Sequence, residues 1–387
     1  MLEDNVIYVG DIGVEGTAMS INTRNIANIL NDLNYKVFFV CDGFNNRKII
    51  SDEKKEYTYT KKKINIPKIS GIEYFLEEAT GTKKIRLLKN LIKENKPKFV
   101  ILYKVSGEYS VLKYCKKFNI PVILERTDWF DYCDHKSLIG KILQFQLNCT
   151  YKYLDKKANG VISISQYFDD YYKKLGINSL YLPPIFDFDL NKKIYRSDSE
   201  KIKLVYAGSL GTKKDLIFPI INALKIINTN EVNFTLDIIG ISEEELKKRV
   251  NDFNFENIGI RLHGRLPNES TKKIIQKCDF SFLLRENKRY AKAGFSTKFV
   301  ESMTLGVPVI CTKVGGADSI INDFVDGILL ENNEVNTLVA TFERILKMNK
   351  EEILTMKINS YKTACNKFHK NNYKDKMESF INEICSN

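Results

Sequence analysis

Long apolar runs are missing from this 387-residue chain. No stretch approaches the ~20 consecutive apolar residues that a membrane-spanning helix needs. Nor does the start show a basic, then apolar, leader with a small-residue cleavage site. MLEDNVIYVGDIG passes at once into a strand-like segment, and the expectation is a cytoplasmic protein. Histidine is scarce, and neither His263, at the end of a strand-like run, nor His369, in a helical one, has a neighbour in sequence that suggests catalysis. Cysteine pairs of the C-x-x-C type are absent. Cys41, Cys115, Cys133, Cys149, Cys278, Cys311, Cys365 and Cys385 lie mostly in apolar segments, as buried thiols in a reducing compartment do, so neither a disulfide framework nor a metal site is expected. No zinc-finger, helix-turn-helix or aromatic-basic RNA-reading motif is present, so nucleic acid is not an expected partner.

What is present reads as globular: 43% apolar and 28% charged residues. The length exceeds what one core usually fills, so two domains are expected. The net charge of +12 is uneven. Residues 47–98 hold 15 Lys/Arg against 7 Asp/Glu, which suits a solvated lysine-rich face or peripheral contact with an anionic membrane. Within that stretch Ile85, Leu88, Leu91 and Ile92 fall on one helical stripe, for which core packing is the favoured reading.

The chain alternates strand and helix twice over. In the first half VIYVG (6–10), KVFFV (36–40), FVILY (99–103), PVILE (121–125) and GVISI (160–164) are short continuous apolar runs, suited to a parallel sheet covered on both faces. Helices are expected from about 17 to 33 and from about 137 to 157. In the second half IKLVYAG (202–208), FTLDIIG (234–240), IRLHG (260–264), FSFLLR (280–285), PVICT (308–312) and GILLE (327–331) repeat the pattern, with helices at 214–227 and near 242–252, 269–278, 297–305, 334–347 and 350–385, the last interrupted near 370. The organisation expected is α/β throughout: a first doubly wound domain over 1–185, a linker over 186–200, a second over 201–370 and a C-terminal helix over 371–387. In such sheets ligands bind beyond the carboxyl ends of the strands.

Three segments at those ends could carry chemistry. GDIGVEG places Gly10, Gly13 and Gly16 at a strand-to-helix turn, and Asp42 ends the next strand, a pattern that admits a nicotinamide dinucleotide as well as a plain tight turn. In LVYAGSLGTKKDL, Gly208 ends a strand and Lys213, Lys214 and Asp215 open a helix, an arrangement able to hold a diphosphate through backbone N–H groups and a point charge. In FLLRENKRYAKAGFSTKFVES, Arg285 ends a strand, Ser296 or Thr297 caps a helix, and Lys298 and Glu301 lie three apart on it. Lys298 and Glu301 would form a weak surface pair or, in a binding role, Glu301 would accept from a ribose diol while Lys298 and Arg285 meet phosphate oxygens.

This last stretch resembles the donor-binding signature of retaining GT-B glycosyltransferases of the family 4 type, the glycosyl transferases group 1, which serve capsule and exopolysaccharide assembly. Gly294, Phe295, Glu301, Gly306, Pro308, Val309 and Ile310 match that signature in register. Gly208 and Lys214 stand where the family's diphosphate motif has its glycine and lysine, Gly264-Arg265 matches a loop near the base, and Gly315-Gly316 follows PVICT. The likeness covers the second domain; over the first it extends to strand order and the glycine loop. Ala293 replaces the family's first glutamate and Ser209 its arginine, so the choice of donor sugar does not carry over.

The resemblance implies a GT-B fold of two facing Rossmann-like domains, the last helix returning to the first from about Tyr373. It implies a co-substrate, a UDP- or GDP-sugar, in place of a cofactor. Gly208, Ser209, Arg265, Phe295 and Glu301 would bind it, with the backbone of Gly294, Ser296 and Thr297 meeting sugar hydroxyls. Lys214, Arg285 and Lys298 would stabilise the leaving nucleoside diphosphate without a metal. On the acceptor side Gly13 and the segment PVILERTDWFDYCDH come forward. There Glu125 and Asp128, with Asp131 and His135 close by, would hold hydroxyls of a glycan or lipid-linked oligosaccharide. Trp129 would either stack on a sugar or anchor the loop in the core. The rival expectations are an NAD-dependent oxidoreductase and a relative that binds glycan without turnover.

Overall fold

The computed structural model describes residues 4–10, 18–41, 58–59, 82–103, 108–129, 138–197, 199–210, 215–249 and 255–386. The chain forms two compact units, one of residues 1–186 with 370–387 and one of residues 187–369.

Unit 1 is built on a seven-stranded parallel sheet: β1 Asp4–Gly10, β2 Tyr35–Cys41, β3 Thr58–Tyr59, β4 Phe99–Tyr103, β5 Val122–Arg126, β6 Gly160–Ser163 and β7 Ser179–Tyr181, in the order β3-β2-β1-β4-β5-β6-β7. The five expected strands are all there; β3 and β7 are additions of two and three residues. The helices are α1 Ala18–Asp32, α2 Thr82–Asn95, α3 Glu108–Lys117, α4 Leu138–Cys149 and α5 Gln166–Lys174, and α4 runs on through a π-helical turn, Thr150–Leu154, into a 3-10 turn, Asp155–Lys157. Leu88, Leu91 and Ile92 of α2 are buried, as expected of a core-packed stripe, while the side chain of Ile85 lies outside the described residues. Val6, Tyr8, Ile101, Ile123 and Ile162 of the strands share one core with Ile26 and Leu30 of α1.

Unit 2 carries a six-stranded parallel sheet: β8 Ile202–Ala207, β9 Phe234–Ile239, β10 Ile260–Gly264, β11 Phe280–Leu283, β12 Val309–Thr312 and β13 Ile328–Leu330, ordered β10-β9-β8-β11-β12-β13. Its strands are nearly continuous apolar runs because both faces are covered, by α6 Phe218–Ile227, α7 Glu243–Lys247, α8 Asn268–Gln276, α9 Arg289–Ala293, α10 Thr297–Thr304, α11 Val335–Leu346 and α12 Lys350–Phe368. The order reverses between β8 and β11, and at such a switch point the loops after the two strands diverge and leave room for a ligand. Residues 187–200, expected as a linker, belong to this unit: the Phe188 ring meets Tyr361 and His369 edge-on, and Arg196 pairs with Glu351 at 3.0 Å.

After a 3-10 turn, Lys370–Tyr373, the last helix, α13 Lys374–Ser386, is part of unit 1. Its Met377, Phe380, Ile381 and Ile384 are buried in the core that α1 and the strands share. The final helix thus completes a hydrophobic core begun by the first strand.

Candidate nucleotide-binding site

The switch point of the second sheet is where the charged side chains converge. β8 ends at Ala207, and Gly208 lies so close to its neighbours that an added methyl would strike Lys298 Nζ. Gly240, after β9, has φ +94° and presses on the same turn; a Cβ there would stand 2.6 Å from the Gly208 carbonyl oxygen. Two glycines are therefore needed to bring these turns together.

The chain then reaches Asp215, a non-glycine residue at φ +56°. The expected helix from Lys214 starts three residues after Asp215 instead, at Phe218, because Asp215 is in the left-handed region and Pro219 suits a first turn. The Tyr206 hydroxyl donates to the Asp215 carbonyl at 2.8 Å, and Leu216 N–H donates to the Leu284 carbonyl at 2.8 Å, stitching this loop to the end of β11. The Asp215 carboxylate is filled at both oxygens: Arg285 Nε donates to Oδ1 at 2.8 Å and Lys298 Nζ to Oδ2 at 2.7 Å. Burial would push this carboxyl up, but the charges of Lys298 and Arg285 win and hold it down at about 2.

Arg285 is fixed at its backbone as well. Its N–H donates to Thr312 Oγ1 at 3.0 Å and that hydroxyl donates back to its carbonyl at 2.9 Å, tying the ends of β11 and β12. Gly315, after β12, has φ +63°, and a Cβ there would lie 2.8 Å from the Gly294 carbonyl oxygen. That close approach sets the turn that opens α10. Ser296 precedes the helix in extended geometry and its side chain makes no capping hydrogen bond. A small hollow between Arg285, Phe295, Ser296, Phe299, Val314 and Gly315 faces this end of the helix. Phe295 is wedged edge-on against Phe299 at 5.8 Å and Phe368 at 5.9 Å, so its ring serves the core.

Glu301 does not pair with Lys298. Its Oε1 is buried and receives no hydrogen bond from any described residue. Burial raises its carboxyl above the usual range, and the nearby charges of Lys272 and Lys298 offset this in part. A buried polar atom left unpaired in this way costs about 1–3 kcal/mol, which a protein retains for a reason.

The other expected residues are placed as follows. Ser209 is exposed beside Gly208, and Thr297 half-buried in the first turn of α10. Arg265 lies beyond β10 with its side chain 77% exposed, paired with Glu245 at 3.0 Å. Ala293 is fully buried at the end of α9. Lys213, Lys214, Gly13, Gly16, Asp42, Asp131 and His135 lie outside the described residues.

In unit 1 the expected acceptor carboxylates part company. Glu125 is 1% exposed and is taken up by Asn22, whose Nδ2 donates to it at 2.6 Å, and by the Tyr8 hydroxyl, so its side chain is engaged within the core. Asp128 is half-buried, with Thr127 Oγ1 donating to Oδ2 at 3.2 Å. Trp129 is an anchor: it stacks on Phe168 at 5.6 Å and meets Tyr151 at 4.7 Å and Tyr171 at 5.1 Å edge-on. The sequence also gave no warning of a buried ionic cluster beside it, in which Arg126 bridges Asp155 at 2.7 Å and Glu108 at 2.9 Å.

Unit 2 is thus a parallel doubly wound domain whose switch point gathers two cations, a glycine turn and a carboxylate oxygen with no donor among the described residues. Residues 187–363, which lie in unit 2, match the family model of the glycosyl transferases group 1. Two uncharacterized glycosyltransferases of Methanocaldococcus jannaschii are similar in sequence: MJ1178, 27% identical over 206 residues (52% of this chain, 53% of that protein), and MJ1069, 24% identical over 209 residues (51% and 52%). The chain thus spans about half the length of the curated relatives it matches. Among solved structures, sucrose-phosphate synthase from Thermosynechococcus elongatus superposes with a TM-score of 0.71 at 14% identity over 99% of both chains. Anabaena Alr3699/HepE in complex with UDP gives 0.68 at 15% identity over 98% of this chain and 99% of that one. At these identities the likeness establishes the fold, which is GT-B.

Proposed function

We propose that the chain transfers a hexose-type sugar from a nucleotide-sugar to a glycan acceptor, with retention of anomeric configuration. The observation that carries this reading is Glu301 Oε1, buried with no donor among the described residues and one helix turn from a Lys298–Asp215–Arg285 cluster at the switch point. A ribose diol would supply the donors that Glu301 lacks. Arg285 and Lys298, with Lys214, would meet the diphosphate, and the backbone amides of Phe295 to Thr297 the sugar, the Gly294 N–H being taken up by the Tyr290 carbonyl at 3.1 Å. These cations stand where leaving-group charge develops, so the departing diphosphate is stabilised electrostatically and one of its oxygens takes the acceptor proton. On this reading Ser209 and Arg265 would contact the base end of the donor.

The UDP and UDP-glucose complexes of Alr3699/HepE make UDP-sugars the first donors to try, with GDP-sugars next. On the acceptor side the reading keeps Gly13 and Asp128. It takes the acceptor to be a lipid-linked glycan in surface polysaccharide synthesis, met at the inner face of the plasma membrane by the lysine-rich stretch 47–98. Among the described residues no helix is long and apolar enough to cross a membrane.

The test is a thermal-shift panel of UDP, GDP, ADP, their sugar conjugates and NAD on the wild type and on Glu301→Ala. Stabilisation of the wild type alone by one nucleoside diphosphate, followed by its release from the sugar conjugate on adding acceptor, is the expected result. Stabilisation by NAD alone, or by nothing, sinks the reading.

A further inference from the structure

One carboxylate holds both cations that the proposed function assigns to the diphosphate. Asp215 is 8% exposed, its φ of +56° is one that few side chains adopt, and its carbonyl is fixed by Tyr206. Each of its oxygens receives one cation at hydrogen-bond distance. The two partners differ: the Arg285 side chain is 13% exposed and tied to Thr312 through its backbone, whereas the Lys298 side chain is 39% exposed.

We propose that Asp215 is a built-in placeholder for the diphosphate, a positioning residue that keeps Arg285 and Lys298 together while the site is empty and competes with the incoming anion for them. The inference rests on the donor-site reading above. Without a carboxylate between them, two cations converging on one spot repel and the half-buried guanidinium is left uncompensated. With it the site is stable, but a diphosphate meets a cluster whose charge is already offset by one. Lys298, the more exposed partner, is the cation that leaves Asp215 for the ligand, while Arg285 keeps its Nε on Asp215 and meets the anion through its other N–H groups. When the nucleoside diphosphate leaves, Lys298 returns to Asp215, so the same competition helps product release.

Asp215→Asn tests this, because asparagine tolerates the left-handed conformation and keeps an acceptor oxygen while losing the charge. Asp215→Gly is the second variant, free of strain at that φ. The probe is inorganic diphosphate, titrated calorimetrically at two salt concentrations. Both variants are expected to melt lower than the wild type without ligand, yet to bind diphosphate at least tenfold more tightly, with a steeper loss of affinity as salt rises. A residue that merely props the loop would lower stability and affinity together, so the opposite signs are diagnostic. Equal or weaker diphosphate binding in both variants overturns the proposal, as does absence of binding to all three chains. If the nucleotide panel fails while diphosphate binding rises as stated, the transferase reading falls and the placeholder stands. If nucleotides bind and the rise is missing, only the placeholder falls.

Discussion

Replacing Glu301 by glutamine should make the protein more stable and less able to bind its nucleotide. The carboxylate is mostly buried, its Oε1 has no described donor, and burial raises its carboxyl despite Lys272 and Lys298. An unpaired buried polar atom costs about 1–3 kcal/mol, and more when charged; glutamine keeps the shape but removes the charge that burial penalises, so a gain of about 1–2 kcal/mol is expected. For a unit of this size each kcal/mol moves Tm by about 2–4 °C, so the variant should melt about 2–8 °C higher at neutral pH. The sign with pH follows from the raised carboxyl. Its folded-state proton contributes stability that is complete below the unfolded value of about 4.3 and is lost as pH rises through the raised folded value. The advantage of Glu301→Gln should therefore be small near pH 4 and grow towards neutrality. A hydrogen bond to a charged acceptor contributes about 1.5–3 kcal/mol, so nucleotide affinity should fall roughly tenfold to a hundredfold. Differential scanning fluorimetry from pH 4 to 8, with and without UDP, reads all three effects. A variant that melts no higher at neutral pH, or whose nucleotide-induced shift equals that of the wild type, refutes the assignment of Glu301 as a carboxylate held unsatisfied for a ligand.

Gly240→Ala places a Cβ 2.6 Å from the Gly208 carbonyl at a φ of +94°; about 1–3 kcal/mol of strain is expected, read as a lower Tm together with weakened diphosphate binding. Lys357 is 2% exposed, donates to the Cys278 carbonyl at 2.6 Å and lies 3.8 Å from Asp279. Lys357→Ala should cost about 3–5 kcal/mol in urea denaturation by stranding Asp279, and Lys357→Met with Asp279→Asn much less. Deleting α13 removes the buried Met377, Phe380, Ile381 and Ile384, together about 6–12 kcal/mol of burial. That is the scale of a whole domain's stability, so the truncated chain should not yield a folded unit 1 by circular dichroism and limited proteolysis.

The sheets were legible because a strand covered on both faces must be apolar along its whole length, and runs such as FVILY and FTLDII can be little else. The break near residue 370 was legible too, since helical periodicity lapses there, and the structure places a 3-10 turn at Lys370–Tyr373. β3 and β7, of two and three residues, were not read as strands, whereas β13, also of three, stood out because it lies in the apolar run GILLE. The start of α6 was misread because Lys213-Lys214-Asp215 looks like a helix opening, whereas the positive φ of Asp215 is set by bonds that its carbonyl and carboxylate make elsewhere in the fold.

The pairing of the site is the part that no local rule could supply. Spacing of three along a helix set Lys298 beside Glu301, a contact worth only a few tenths of a kcal/mol at the surface. The fold offers Lys298 a stronger partner 83 residues away in Asp215, where burial and Arg285, itself 70 residues from that aspartate, make the contact less screened by water. With Lys298 on Asp215, Glu301 Oε1 has no donor among the described residues. The two features that mark the site, a carboxylate with too many cations and a carboxylate with too few, thus meet at Lys298. A ligand that carries an anion at one end and hydroxyl donors at the other answers both, which is the chemistry of a nucleoside diphosphate.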